Sequence, residues 1–297
     1  MVSSPPPGRG IISRWAAKMA EELRAPIFQR DRAFLERLLP LMEIWGRYFD
    51  AEVRGVERLP SGPVLLVGNH SGGSLTPDTA ALIAAWYRAR GLDDPLLLLG
   101  ADPVFAIPGF KTLVRKVGLI PASHGNAERA LAQGASVLVY PGGAHEAYRP
   151  WRDRNRLAFD GRHGFVRLAL RAGVPVVPVV GHGGHETHLV LTRGEPIARR
   201  MGMDRLRLTI FPIFLQFPWG ISTPATPGIP LPAKITVEIG EPIHWSALGP
   251  AAADDPEVVQ RCADEVTARM QETLTRLARA RPHPLWDRFA GLGRRGR

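Results

Sequence analysis

Two short stretches hold residues whose types and spacing could carry acid–base chemistry. In the first, Asn69, His70 and Ser71 follow the apolar run 64–67 and precede Gly72, Gly73 and, after Pro77, Asp78. Imidazole titrates near neutrality, so His70 suits the removal of a proton from an alcohol. A carboxylate at Asp78 could accept the other ring N–H, fix the tautomer and stabilise the imidazolium. That is the base-and-orienter half of a triad, with a substrate hydroxyl in place of the serine. Asp78 equally suits the first turn of a helix behind Thr76 and Pro77, where acids and proline are favoured.

In the second stretch, Pro141, Gly142, Gly143 and Glu146 follow the apolar run 137–140. Paired glycines permit close backbone approach, so their N–H groups could face a phosphate or a developing oxyanion. Glu146 could position an acceptor or support His70, or be a solvated acid in a turn. Two other chemistries compete. Asn69-His70-Ser71-Gly72-Gly73 is similar to a Gly-x-Ser-x-Gly elbow, which would make Ser71 the nucleophile of a serine esterase or lipase with His283 or another late histidine as base. Asn69, however, stands where that strained turn wants glycine. A lipid-binding protein without catalysis is the second rival. His182, His185 and His188 lie close together, but not at His-Glu-x-x-His spacing and with no second ligand set, so no metal is expected.

Both stretches need a scaffold that delivers strand ends to one edge. Runs at 64–67, 96–99, 137–140, 174–180 and 235–239 read as strands, and their continuous apolar character fits burial on both faces. Helical patterns at 76–90, 110–117, 126–133 and 164–172 alternate with them, which predicts an α/β fold with a mainly parallel sheet flanked by helices. A long amphipathic helix is expected over 256–281. The domain plan is a disordered lead at 1–10, amphipathic membrane-associating helices within 11–50, a catalytic domain at 51–245 and a C-terminal helix with a basic tail at 246–297.

Lys and Arg outnumber Asp and Glu by 38 to 28, so an anionic surface is the expected partner. No zinc-finger or RNA-binding signature appears, which weakens a nucleic-acid reading and favours anionic lipid. Trp15, Met19 and Leu23, then Phe34, Leu38, Leu41 and Trp45, recur at helical spacing beside arginines, as in helices lying at a bilayer interface; packing on the domain is the other reading. Prolines break the uncharged run 208–233, so it cannot span a bilayer as a helix. Its Phe211, Phe214, Phe217 and Trp219 could line an acyl channel, dip into an interface or fill the core. The single Cys262 suits a reducing compartment and reads as packing. A peripheral membrane protein on the cytoplasmic face is the expected location.

Taken together, the motifs resemble the phospholipid/glycerol acyltransferase family. Asn69-His70 with Asp78 matches its first block, Gly118 to Pro121 falls where the second lies, Tyr140 to Gly143 matches the third, and 174–178 looks like the fourth. The resemblance implies transfer of an acyl group from acyl-CoA, a co-substrate rather than a bound cofactor, to a lipid hydroxyl. It makes His70 and Asp78 the catalytic pair and Asn69, Ser71, Pro141, Gly142, Gly143, Glu146 and Arg149 substrate-binding. Two departures stand out. Positions 71–77 separate His70 from Asp78, a longer interval than the family commonly has, so Gly72-Gly73-Ser74 reads as an inserted loop. Ser123 and Ala144-His145 stand where phosphate-handling arginines occur, so the chain resembles the branch acylating neutral lipids such as diacylglycerol. Arg149, Arg152, Arg154 and Arg156 could still meet a phosphate, including that of CoA.

Overall fold

The continuous apolar runs become the middle of a seven-stranded sheet. In chain order its strands are β1 (Glu52–Arg54), β2 (Leu65–Gly68), β3 (Leu96–Gly100), β4 (Leu119–Pro121), β5 (Ser136–Val139), β6 (Val176–His182) and β10 (Thr236–Ile239). Across the sheet the order is β1-β10-β6-β2-β5-β3-β4. The strands from β6 to β4 run parallel, whereas β10 is antiparallel to β6 and carries β1 beside it. The expected mainly parallel α/β sheet is what the chain builds. This computed structural model describes residues 29–73, 76–105, 109–203, 208–224, 226 and 228–287. The lead at 1–10, the helix expected over 11–23, Ser74 and the tail arginines lie outside the described residues.

Strand alternation divides the core into two layers. Leu65, Val67, Val137 and Val176 point into one cluster, and Val64, Leu66, Leu138 and Val177 into the other. The helices are α1 (Arg32–Tyr48), α2 (Pro77–Arg90), α3 (Asp102–Phe105), α4 (Phe110–Val117), α5 (His124–Ala132), α6 (Gly143–Ala147), α7 (Gly164–Ala172), α8 (Glu195–Arg200) and α9 (Pro256–Ala280). The first cluster is covered by α5, α7 and α9, the second by α1 and α2. Covering both faces is what makes polar alternation unnecessary in these strands.

Two elements resolve open readings. Asp31 caps α1 by accepting from the Phe34 N–H at 3.0 Å, and Leu35 is buried in the same cluster as Leu82 and Trp86 of α2. This helix therefore docks on the domain, although Leu41 and Ile44 remain exposed. At the other end Asp255 caps α9, whose buried stripe Val259, Cys262, Val266, Met270, Leu274 and Leu277 completes the first cluster. Cys262 is thus a core residue, and the C-terminal helix shares its core with the central sheet.

A second sheet was not foreseen. β7 (Leu189–Thr192), β8 (Ile213–Gln216) and β9 (Gly220–Ser222) form a three-stranded antiparallel unit, joined on its way by α8.

Candidate active site

β2 lies between β5 and β6, so the chain leaving these three strands meets at one edge. Open α/β sheets place ligands at such carboxyl ends, where connections depart in opposite directions. There His70 follows β2, Tyr140 to Gly143 follow β5, and Gly181 to His185 close β6.

Asn69 fixes the first of these segments. Its amide donates to the Gly181 carbonyl at 2.9 Å and accepts from the Gly181 N–H at 2.7 Å. The side chain thereby continues the β2–β6 pairing past the strand end, and it is buried. Asn69 is a clamp, and its polar atoms are committed to β6 rather than to a substrate. Gly68 is required just before it, because a Cβ would stand 2.4 Å from Cε1 of Tyr140.

His70 is held by backbone and by ring. Its N–H donates to Oε2 of Glu146 at 2.9 Å, and its imidazole lies 4.7 Å, centroid to centroid, from the Tyr140 ring. Nδ1 is buried without a hydrogen-bond partner. The residue as a whole is partly accessible. Enclosure pushes the imidazole pKa down to about 4, so it is neutral at pH 7 and carries a free lone pair.

The hydrogen bond expected between His70 and Asp78 is not formed. Oδ2 of Asp78 accepts from the Ser71 hydroxyl at 2.6 Å, and Oδ1 accepts from the Thr79 N–H at 2.7 Å. Burial raises the Asp78 pKa to about 6, with the Ser71 and Thr79 bonds working against that rise. The longer interval explains the change: positions 71–77 let Ser71 turn back onto the first turn of α2 and occupy the carboxylate. Ser71 is itself packed, since a Cβ at Gly184 would fall 2.1 Å from its Oγ. A buried hydroxyl donating to a carboxylate is a poor nucleophile, and this geometry disfavours the serine-esterase reading.

Behind His70 lies a buried polar cluster. Glu146 accepts from the N–H of His70 and, through Oε1, from the Ala158 N–H at 3.2 Å; its Oε1 is 3.5 Å from the Arg149 guanidinium. Burial lifts its pKa to about 7, with Arg149 and the two N–H groups opposing. Arg149 also donates to Nε2 of His185 at 2.8 Å. A guanidinium can only donate, so His185 is neutral with its proton on Nδ1. Glu146 is therefore neither solvated nor a surface acid, and Arg149, buried and bonded internally, is not placed as a free phosphate ligand.

The Pro-Gly-Gly turn is likewise structural in large part. A Cβ at Gly142 would lie 2.5 Å from both Glu146 Oε2 and the Ala158 carbonyl, so glycine is what lets Glu146 reach His70. The Gly143 N–H donates to the Tyr140 carbonyl at 3.0 Å, which leaves it no free hydrogen for an oxyanion. Pro141 has no N–H to offer; Arg162 braces the Pro141 and Gly142 carbonyls at 3.0 and 2.9 Å.

Arg162 and Thr79 had no sequence motif to betray them, and His185 drew notice only as one of three neighbouring histidines weighed as metal ligands. Thr79 Oγ1 meets the Tyr140 hydroxyl at 2.6 Å, tying α2 to the end of β5. Of the three neighbouring histidines, His182 and His185 line a small cavity with Ser71, Arg154 and Glu186, His185 also meeting Arg149, whereas His188 goes to Thr187 and Phe214.

Residues 50–181, the segment that holds His70, Asp78 and the Pro-Gly-Gly turn, match the Acyltransferase family model. That segment is therefore similar to an acyltransferase-family domain. An uncharacterized protein of Mycobacterium tuberculosis is 36% identical over 245 residues, covering 82% of this chain and 66% of that protein. The chain thus spans just under two thirds of that relative's length. The "DGAT1/2-independent enzyme synthesizing storage lipids" of Gallus gallus is 28% identical over 82% of this chain and 63% of its own. Phytyl ester synthase 2 of Arabidopsis thaliana is 36% identical over 43% of this chain and 19% of its own. Among solved structures, the LPA acyltransferase PlsC of Thermotoga maritima aligns with a TM-score of 0.47 and 19% identity, over 88% of this chain and 89% of that chain.

Proposed function

We propose that the domain transfers an acyl group from acyl-CoA to the hydroxyl of a neutral lipid, a diacylglycerol or a long-chain alcohol, with His70 as general base. The neutral, partly accessible imidazole at the shared end of β2, β5 and β6 carries this reading, its buried Nδ1 leaving Nε2 to take the proton. Nε2 takes the acceptor's proton as its oxygen attacks the thioester carbonyl. The tetrahedral intermediate collapses by breaking the C–S bond, and the departing thiolate regains that proton from the imidazolium. Asp78 acts at one remove, by holding Ser71 and the start of α2, while Glu146 fixes the backbone of His70.

The neutral acceptor is supported by chemistry and by kinship. Arg149 is engaged inside, and Arg154 is bound to Glu186 and stacked on Trp151 at 4.0 Å. The Gallus and Arabidopsis relatives are named for storage lipids and phytyl esters, neutral products. Peripheral attachment to anionic lipid on the cytoplasmic face belongs to the same proposal. The net charge of +10 and a lone free thiol support it, and among the described residues no helix is long and apolar enough to cross a membrane.

His70→Ala is expected to lower kcat/KM for acyl transfer by roughly 10²- to 10⁴-fold with the fold intact. Ser71→Ala should retain substantial activity. Loss of activity in Ser71→Ala with retention in His70→Ala would overturn the mechanism in favour of a serine nucleophile.

A further inference from the structure

We propose that the outer face of the β7–β8–β9 sheet is the docking surface that seats this domain on a bilayer containing anionic lipid; the inference rests on the lipid-acyltransferase reading above. Strand register defines two faces of unlike character. Val190, Phe214 and Ser222 are directly paired across the three strands and are 2–3% exposed. The next row, Leu189, Leu215 and Ile221, is paired in the same way on the opposite face, where Ile221 is 74% exposed. Beyond this row the β8–β9 hairpin tip bears Phe217 and Trp219, each 61% exposed. A soluble surface has no use for a leucine–isoleucine row ending in two aromatics, whereas an interface between water and acyl chains does.

The inner face ties this surface to the reaction. Phe214 stacks 6.3 Å from Tyr148 and meets His188 edge-on at 5.3 Å. Tyr148 in turn lies against Gly73 of the catalytic turn, where a Cβ would come within 3.2 Å of its ring. One side of the sheet thus rests on the turn that follows His70, and the other is apolar and open. A lipid acceptor has to be drawn from a bilayer, and this sheet sets the active-site turn one layer away from it.

Charge selects the kind of bilayer. α8, which follows β7 directly, exposes Ile197 together with Arg199 and Arg200, and Met201 follows, also exposed. Apolar side chains flanked by arginines match acyl chains beneath anionic headgroups, and the chain's charge of +10 has the same sign. A second copy of this chain, equally basic, is the less favourable occupant.

Sedimentation of the full chain with phosphatidylcholine vesicles, with and without phosphatidylglycerol, tests this surface. Phe217→Ser/Ile221→Ser should lower the vesicle partition coefficient by roughly tenfold or more, with an unchanged melting temperature and unchanged acyl transfer to acceptor dispersed in detergent micelles. Arg199→Gln/Arg200→Gln should lower binding only to the phosphatidylglycerol vesicles. Equal binding by wild type and the Phe217/Ile221 variant would overturn the proposal, as would a variant altered in oligomeric state but not in vesicle binding. A wild type without transfer in micelles, combined with vesicle binding that the variant loses, would remove the catalytic reading and keep the docking surface.

Discussion

At the ends of β2, β5 and β6 the polar side chains are buried and bonded to one another. Across Phe214 the small sheet turns leucine, isoleucine and phenylalanine towards solvent. The two regions touch through Tyr148 and Phe214, yet each inverts the usual placement of residues. Burying Glu146 and Arg149 is costly unless they are paired, so their bonds to one another, to His185 and to the His70 backbone favour one arrangement of His70. Exposing Phe217 and Ile221 adds little to folding, so that region is free to meet something outside. Changes in the first should therefore appear in stability and catalysis, and changes in the second only in association.

The sharpest way to break this contrast is Glu146→Ala. It strips acceptors from the N–H groups of His70 and Ala158 and leaves Arg149 buried without its carboxylate. A loss of about 3–5 kcal/mol in urea unfolding is expected, along with most activity. Glu146→Gln keeps an acceptor for the two N–H groups while removing the charge beside Arg149, and should cost less than Glu146→Ala. Equal effects of the two substitutions would mean that the cluster does not hold His70.

The pH dependence follows from the same burial. Glu146 titrates at about 7 in the fold against an ordinary 4.5, so its contribution to stability is fully present below about 4.5 and is lost as pH rises through 7. His182 and His188, lowered from 6.5 to about 4 by burial, contribute oppositely: fully above 6.5, and progressively less as pH falls towards 4. The unfolding free energy of wild type minus that of Glu146→Gln should thus decrease from pH 5 to pH 8, the histidine contributions being common to both. Parallel curves would place the carboxylate in water. The smallest effect belongs to Phe217→Ser/Ile221→Ser, whose unfolding free energy should stay within about 0.5 kcal/mol of wild type.

The strands of the central sheet were legible because both faces are covered and the runs at 64–67, 137–140 and 174–180 are apolar throughout. The glycine turns were legible for a different reason: a strand followed by glycines at a parallel sheet's edge has few other uses. What stayed hidden depends on pairs far apart in the chain. Glu146 meets the backbone of His70 across 76 positions and Arg149 meets His185 across 36, and no local pattern encodes either. The Ser71–Asp78 bond is local but needs the backbone path of the longer turn, which composition does not reveal. The small sheet escaped notice because prolines at 212 and 218 flank β8, and its three- and four-residue strands leave little alternation to read. β1, also three residues long, is recognisable only from its pairing with β10.

The most direct test of the central proposal is the fate of the label when purified protein receives radiolabelled acyl-CoA with diacylglycerol and lysophosphatidate offered together. The expected result is label chiefly in triacylglycerol, lost in His70→Ala. Label chiefly in phosphatidate, or released only as free fatty acid, would contradict it.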